Sequence, residues 1–327
     1  MQATAGEAGC DWSAFRRNAL RFSALFILLW LGFGAAYVRF PYVRNGASII
    51  YSTKFDYVSN HAVFDSGRRY RIAVLGDSRA LAAFRPEDFD RQFAAGGVQS
   101  FNLALPGERD VLPILRNFLA SGNRPTHVLI TTALPDRPAP TPLSTLRDDR
   151  AINRFLFPFQ ALPRDLALFV AGAIGGRGLV GQYVYGAEQA AGIIRDRGWY
   201  FIAGQSHYPN DRLPADYALP SDRPTVVALR PVHPGGRLFR ELAALAQAHD
   251  FRVLLVPTVL RRGRFAPAPA PSSDGPEPIA GSDRVERIGP DYVLLPAPQF
   301  SDSTHLNRHG AREYSQYLAR LLQATLR

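Results

Sequence analysis

The apolar positions of this chain fall into two regimes. From Phe22 to Val38 they form one unbroken run, FSALFILLWLGFGAAYV, with no charge and no polar face. A helix over this run rises 1.5 Å per residue and covers roughly 25 Å, and its flanks bring it to bilayer thickness. From Arg71 onward the apolar runs are short and alternate with segments of helical period. Stretches at 71–75, 98–105, 127–133, 251–259 and 292–295 predict strands. Between them, 86–95, 110–120 and 237–249 repeat apolar residues at helical spacing, as Leu112, Leu115 and Leu119 do. A last helix is predicted over 307–326, with Asn307 as its N-cap and Tyr314, Leu318, Leu321 and Leu322 on its apolar face. Strands alternating with single helices imply parallel βαβ units and a doubly wound α/β sheet.

The alternation lapses between 135 and 224, in Pro-rich turns, an aromatic patch (FLFPFQ) and an apolar Gly-rich stretch (LFVAGAIGGRGLVG). Arg164, Asp165 and Arg177 bracket a run too short to cross a membrane, so the region is expected to be an insertion that caps or flanks the sheet. Residues 261–284 are low-complexity Pro, Ala, Ser and Gly and predict a mobile surface loop. Residues 41–69 read as a juxtamembrane linker, and 70–327 as the globular domain.

Charge orients the anchor. Arg16, Arg17 and Arg21 precede the apolar run, which places 1–21 in the cytoplasm, 22–40 in the membrane and the body outside. The expectation is a single-pass protein of the inner membrane whose domain faces the periplasm or cell exterior. Arg39 and Arg44 act against that orientation. The competing readings are a cleaved signal peptide and a buried soluble helix. The run is long for a signal peptide and Gly34-Ala35-Ala36 is a poor cleavage site. Apolar residues on every face of the segment favour the membrane.

A net charge of +10 invites a nucleic-acid reading. Lys54 is the only lysine, the arginines are scattered, and no basic run is interleaved with aromatics, which argues against it. A cationic surface of this kind suits an anionic membrane or an acidic glycan. Cys10 is the single cysteine, so no intrachain disulfide can form. It precedes the apolar segment, whereas a lipoprotein signal places its cysteine after it. His127, His207, His233 and His249 show no metal-ligand spacing, and neither a metal nor a cofactor is implied.

Three polar turns follow predicted strands: Gly76-Asp77-Ser78, Asn102 to Gly107, and Asp302 to Asn307. In a parallel sheet all three open at one edge, where such folds place their ligands. A serine hydroxyl becomes a nucleophile when a base takes its proton, and a carboxylate on the far side of a histidine fixes the tautomer and stabilises the imidazolium. Asp302 and His305, three residues apart, can meet on one tight turn. The amides of Ser78 and Gly107 can meet a developing oxyanion. Each residue also has a bland reading. Ser78 alone is a turn serine, Asp77 a cap, and Asn102 a bonding partner of the Gly107 turn. Arg79 is either an anion ligand beside the nucleophile or a solvated arginine.

With GDS at Gly76-Asp77-Ser78, NLALPG ending at Gly107, and DSTHLN at Asp302 to Asn307, the chain resembles the SGNH (GDSL-type) hydrolase superfamily. The resemblance covers most of 70–135 and 237–326. It implies a flavodoxin-like three-layer α/β/α sandwich, with Ser78 as nucleophile, His305 as base, Asp302 as its orienting acid, and the amides of Ser78 and Gly107 as the oxyanion hole. Arg79, Asn102 and Arg137 are the further candidates for substrate contacts. The family's third motif, Gly-x-Asn-Asp, is replaced by ITTALPDRP, so the Asn that donates to the oxyanion is missing; Thr132 and Arg137 stand nearby. A membrane-anchored subset of the superfamily assists acyl transfer to cell-envelope polysaccharides beside a multispanning O-acyltransferase. The anchor and the divergent third block are similar to that subset; the serine comes first here, whereas in the alginate-acetylation relatives the Asp-His motif does. The expected function is O-acyl transfer to, or removal from, an extracytoplasmic polysaccharide. The alternatives are a lipase or lysophospholipase-type esterase, and a degenerate domain that binds glycan or scaffolds a membrane acyltransferase.

Overall fold

The structure, a computed structural model, describes residues 12–93, 97–107, 110–134, 161–201, 206–227, 232–270 and 275–326. Helix α1 (Trp12–Arg39) is 28 residues long, with a mean hydropathy of 1.8 over its most apolar window. Its Phe and Leu side chains stand exposed along nearly its whole length. It is therefore long and apolar enough to span a membrane.

The body is a mixed α/β fold built on a mostly parallel six-stranded sheet. In chain order its parts begin with α2 (Ala47–Asn60), β1 (Tyr70–Leu75), α3 (Ser78–Ala83), α4 (Pro86–Asp90), β2 (Val98–Asn102), α5 (Leu112–Ala120) and β3 (His127–Ile130). After the predicted insertion come α6 (Leu162–Gly172), α7 (Gly178–Arg195), α8 (Arg237–His249), β4 (Arg252–Leu255), β5 (Thr258–Arg261), β6 (Glu277–Pro278), β7 (Val285–Arg287), β8 (Tyr292–Leu295) and α9 (Arg308–Leu322). The sheet order is β2-β1-β3-β4-β7-β6, parallel throughout except for the short edge strand β6. The order reverses at β1, so the crevice between β1 and β3 is the switch point where ligands bind in doubly wound sheets.

Burial on both faces explains the continuous apolar strands. Ala73 and Leu75 of β1 join a cluster with Phe55 and Val58 of α2, Leu115 and Phe118 of α5, and Leu242 of α8. Ile72 and Val74, one residue out of phase, join Phe89 of α4 and Tyr314 and Leu318 of α9 on the other face.

Several segments differ from their sequence-based expectation. Residues 41–69 hold α2, whose Ile49, Ile50, Phe55 and Val58 are buried, so much of this stretch is core rather than linker. The predicted strand 251–259 splits at Pro257, which has no N–H to donate. β4 stays in the main sheet, whereas β5 pairs with β8 as a separate parallel ribbon. The stretch 261–284 contributes β6 to the sheet edge, and Phe265 bridges to Thr225.

Lys54 is fully buried on α2. Its Nζ donates to the carbonyls of Asn102 (2.7 Å) and Ala104 (2.6 Å), beyond the outer edge of β2. Burial holds its pKa well below the ordinary lysine value. His127, also buried, opens β3. Burial, with the Arg252 charge beside it, lowers its pKa to about 4. A histidine depressed in the folded state stabilises the fold fully above its unfolded pKa of 6.5, and that contribution is lost as pH falls from 6.5 towards 4. The loss is on the order of 3 kcal/mol. Thermal unfolding measured against pH is expected to show this acid limb, and His127→Phe is expected to flatten it.

Candidate active site

β1 ends against Gly76 because nothing larger fits. A Cβ there would lie 2.3 Å from the Ala80 Cβ and 2.9 Å from the Thr132 Oγ1. The chain turns at Asp77, which caps α3. Its N–H donates to Thr132 Oγ1 (3.2 Å), and its carboxylate accepts the N–H of Arg79 (2.9 Å). Ser78 is thereby the first residue of α3, at the carboxyl end of a central strand.

The second turn is placed by the continuation of β2. The N–H groups of Leu103 and Leu105 donate to Val74 O (2.8 Å) and Gly76 O (3.0 Å), carrying the chain along β1 to Gly107. Gly107 has φ +77°, a left-handed conformation that favours glycine. Asn102 is fully buried, so it is not a substrate contact. Its Nδ2 donates to Phe84 O (2.9 Å), Ala80 O (3.1 Å) and Leu81 O (3.4 Å), and its Oδ1 accepts the N–H of Ala104 (2.9 Å). It ties the carboxyl end of the α3 turn to the Gly107 loop.

The third turn is closed by Ser301 N–H donating to His305 O (2.9 Å). Asn307 caps α9 by accepting the N–H groups of His309 (3.1 Å) and Gly310 (3.0 Å), while its Nδ2 donates to Pro298 O (2.9 Å) and Asp211 O (3.1 Å). Ser315 then pins α9 to the serine-bearing segment, accepting from Arg85 N–H (2.8 Å).

These three turns bring Ser78, His305 and Asp302 into one chain of hydrogen bonds across 227 residues of sequence. Ser78 Oγ lies 2.9 Å from His305 Nε2, and His305 Nδ1 lies 2.8 Å from Asp302 Oδ2. The other carboxylate oxygen accepts the N–H groups of Thr304 and His305, both at 2.7 Å. Partial burial pushes the Asp302 carboxyl up, but the hydrogen bonds and charge of His305 outweigh it and hold the pKa below the ordinary carboxylate value. Asp302 is therefore an anion wherever the imidazole is needed, and its bond to Nδ1 leaves Nε2 to face the serine.

Ser78 and His305 open into a cavity of roughly 410 Å³ that Gly107 also lines. Three arginines line it. Arg79 is held by the Asp77 carboxylate (2.7 Å). Arg261 is buried, pairs with Asp222 and donates to Tyr217 O (3.0 Å). Arg264 is exposed beside the Phe265 ring. Sequence reasoning missed Arg261 and Arg264, which fall at the start of the stretch expected to be a mobile loop. The available signal was the run Thr258-Val259-Leu260, which continues a strand pattern beyond Pro257. Arg137 lies outside the described residues, and no amide side chain lines the cavity among the described residues. A larger cavity of roughly 760 Å³ lies between β8, α9 and residues 265–270, and neither a serine nor a histidine lines it.

Comparison with protein-family models, with curated proteins and with solved structures finds no match.

Proposed function

We propose that this chain is a membrane-anchored serine acyltransferase or esterase of the SGNH type, acting on an extracytoplasmic polysaccharide through an acyl-Ser78 intermediate. The observation that carries the reading is the Ser78–His305–Asp302 relay at the carboxyl edge of the parallel sheet. The apolar helix α1 and the GDS and DSTHLN turns support placing it in the anchored subset of that superfamily.

Ser78 Oγ attacks the ester carbonyl while His305 Nε2 takes its proton. The imidazolium is stabilised by the Asp302 carboxylate. The oxyanion is met by the N–H groups of Ser78 and Gly107. As the C–O bond to the leaving alcohol breaks, His305 returns the proton to that alcohol and acyl-Ser78 remains. A sugar hydroxyl or water then gives its proton to His305 and attacks the acyl carbon; as the acyl–Oγ bond breaks, His305 returns the proton to Ser78 Oγ. A membrane-bound acyltransferase is the proposed source of acyl groups where the reaction is a transfer.

The test is reaction of the full-length protein with a fluorophosphonate, followed by intact mass. One adduct, lost in Ser78→Ala, is expected. A folded protein that forms no adduct overturns the catalytic reading. It would favour the second one, a non-catalytic glycan-binding or scaffolding domain, for which the replacement of the Gly-x-Asn-Asp motif by ITTALPDRP speaks.

A further inference from the structure

The described part of the insertion contains α6 and α7. By length alone they form one 34-residue helical stretch of mean hydropathy 1.2. They do not form one straight rod. Gly175 and Gly176 leave helical geometry, with Gly176 at φ +113° and Gly178 at φ +67°. The two legs fold back on each other. A Cβ on Gly172 would lie 2.4 Å from the Gln182 Oε1, and both legs pack on the Pro41–Val43 turn that follows α1. The pair is therefore a helical hairpin whose tip is 173–180.

That tip is apolar and bare. Ile174 is 81% exposed, Val180 78% and Leu179 65%, and Leu166, Leu168, Val170 and Val184 continue the surface. Soluble surfaces seldom present so many large apolar groups together. Between Leu166 and Ala187 the sole charge is Arg177. Its guanidinium turns back along the hairpin, donating to Gln182 Oε1 (3.2 Å) and lying 4.1 Å from the Tyr185 ring centroid. This is how a long cation shields itself near an apolar phase.

The direction of the hairpin decides what covers it. Along α7, Ala190 and Ile193 pack with Ile49 and Ile50 of α2, Gly186 packs on Tyr42, and Tyr183 meets Tyr42 and Phe40. Moving towards the tip is thus moving from the body towards the end of α1. At the base, Tyr37 of α1 donates to Asp165 (2.5 Å), and Arg164 donates to Ser48 (2.6 Å). Arg164, Asp165 and, over the Tyr37 ring, Arg44 stand at the base, and the exposed apolar residues lie beyond them towards the tip. An 11-residue leg such as α6 reaches about 16 Å, close to one leaflet of a hydrocarbon core and too short to cross it.

We propose that α6–α7 is a re-entrant hairpin that dips beside α1 into the leaflet on the domain's side of the bilayer, giving the domain a second hold on the membrane and fixing its orientation. The inference rests on α1 lying in a bilayer and is independent of Ser78 chemistry.

The test uses the full chain in phosphatidylcholine–phosphatidylglycerol vesicles, with Cys10→Ser as background. Single cysteines Ile174→Cys and Val180→Cys carry an environment-sensitive fluorophore. Leu25→Cys in α1 and the exposed Asp216→Cys set the lipid and water limits. The tip probes are expected to lose most of the iodide quenching seen at 216 and to be quenched by lipid nitroxides. Iodide quenching equal to that at 216 overturns the proposal and leaves the surface to a protein partner. Labelling of the tip by an impermeant thiol reagent only from the α1 N-terminal side also overturns it, because the hairpin would then cross the bilayer.

Discussion

Ester turnover in His305→Ala is expected to fall at least about a thousandfold with the fold retained, because loss of one member of such a relay removes the proton transfer on which the others depend. His305 is about one-third exposed, so its removal opens no core cavity and the melting temperature should hold. Adding Ser78→Ala to His305→Ala should cost little more, since the two act as one unit. Asp302→Asn should be less severe in rate but less clean in structure. The carboxylate accepts two backbone N–H groups that hold the turn, besides orienting the imidazole. The check is steady-state hydrolysis of a small acetyl ester by the full-length protein, beside thermal unfolding of each variant. Independent losses that multiply across the double variant would sink the relay reading.

Asn102→Ala is expected to lower stability by on the order of 3 kcal/mol. Its side chain makes four hydrogen bonds inside the protein and is fully buried. Truncation leaves the Phe84 carbonyl and the Ala104 N–H without these partners in a buried cavity, while Ala80 O and Leu81 O keep the N–H groups of Phe84 and Tyr200; a buried group left unpaired costs more than its bond contributed. Asn102→Asp should be at least as harmful, since it sets a carboxylate against carbonyl oxygens that need an N–H. Both variants should also slow turnover, because the same side chain links the segment bearing Ser78 to the loop bearing Gly107. Denaturant unfolding monitored by tryptophan fluorescence checks the magnitude. A loss under about 1 kcal/mol would mean that the site is held by the strands alone.

Much of this architecture was legible in residue order. β1 and β3 are apolar on both faces, and the helices between strands show their buried stripes at three- and four-residue spacing, so the parallel sheet and the membrane-capable helix could be inferred directly. Asp302 and His305 could be paired because three residues of one turn separate them, a local relation that spacing expresses. Asn307 was recognisable as a cap for the same reason.

What lay beyond sequence were relations between distant segments. Pro257 divides a continuous apolar pattern between two sheets, and periodicity cannot say which partner each half chooses. α2 looks like a linker because its apolar residues are interleaved with polar ones, and only the sheet face it covers makes it core. Asn102 carries the same letter whether it faces a ligand or three carbonyls; its burial decides. Arg261 and Arg264 reach the cavity only because β5 pairs with β8 and turns that stretch over the site. Local chemistry is written in adjacent residues. The sequence by itself determined β1 to β3, an apolar helix long enough to span a membrane and the paired turn of Asp302 and His305. The meeting of Ser78 with His305, the arrival of Arg261 and Arg264 at the cavity and the fold-back of the apolar hairpin were decided by tertiary packing, because each depends on a contact whose partners lie too far apart for any spacing to specify.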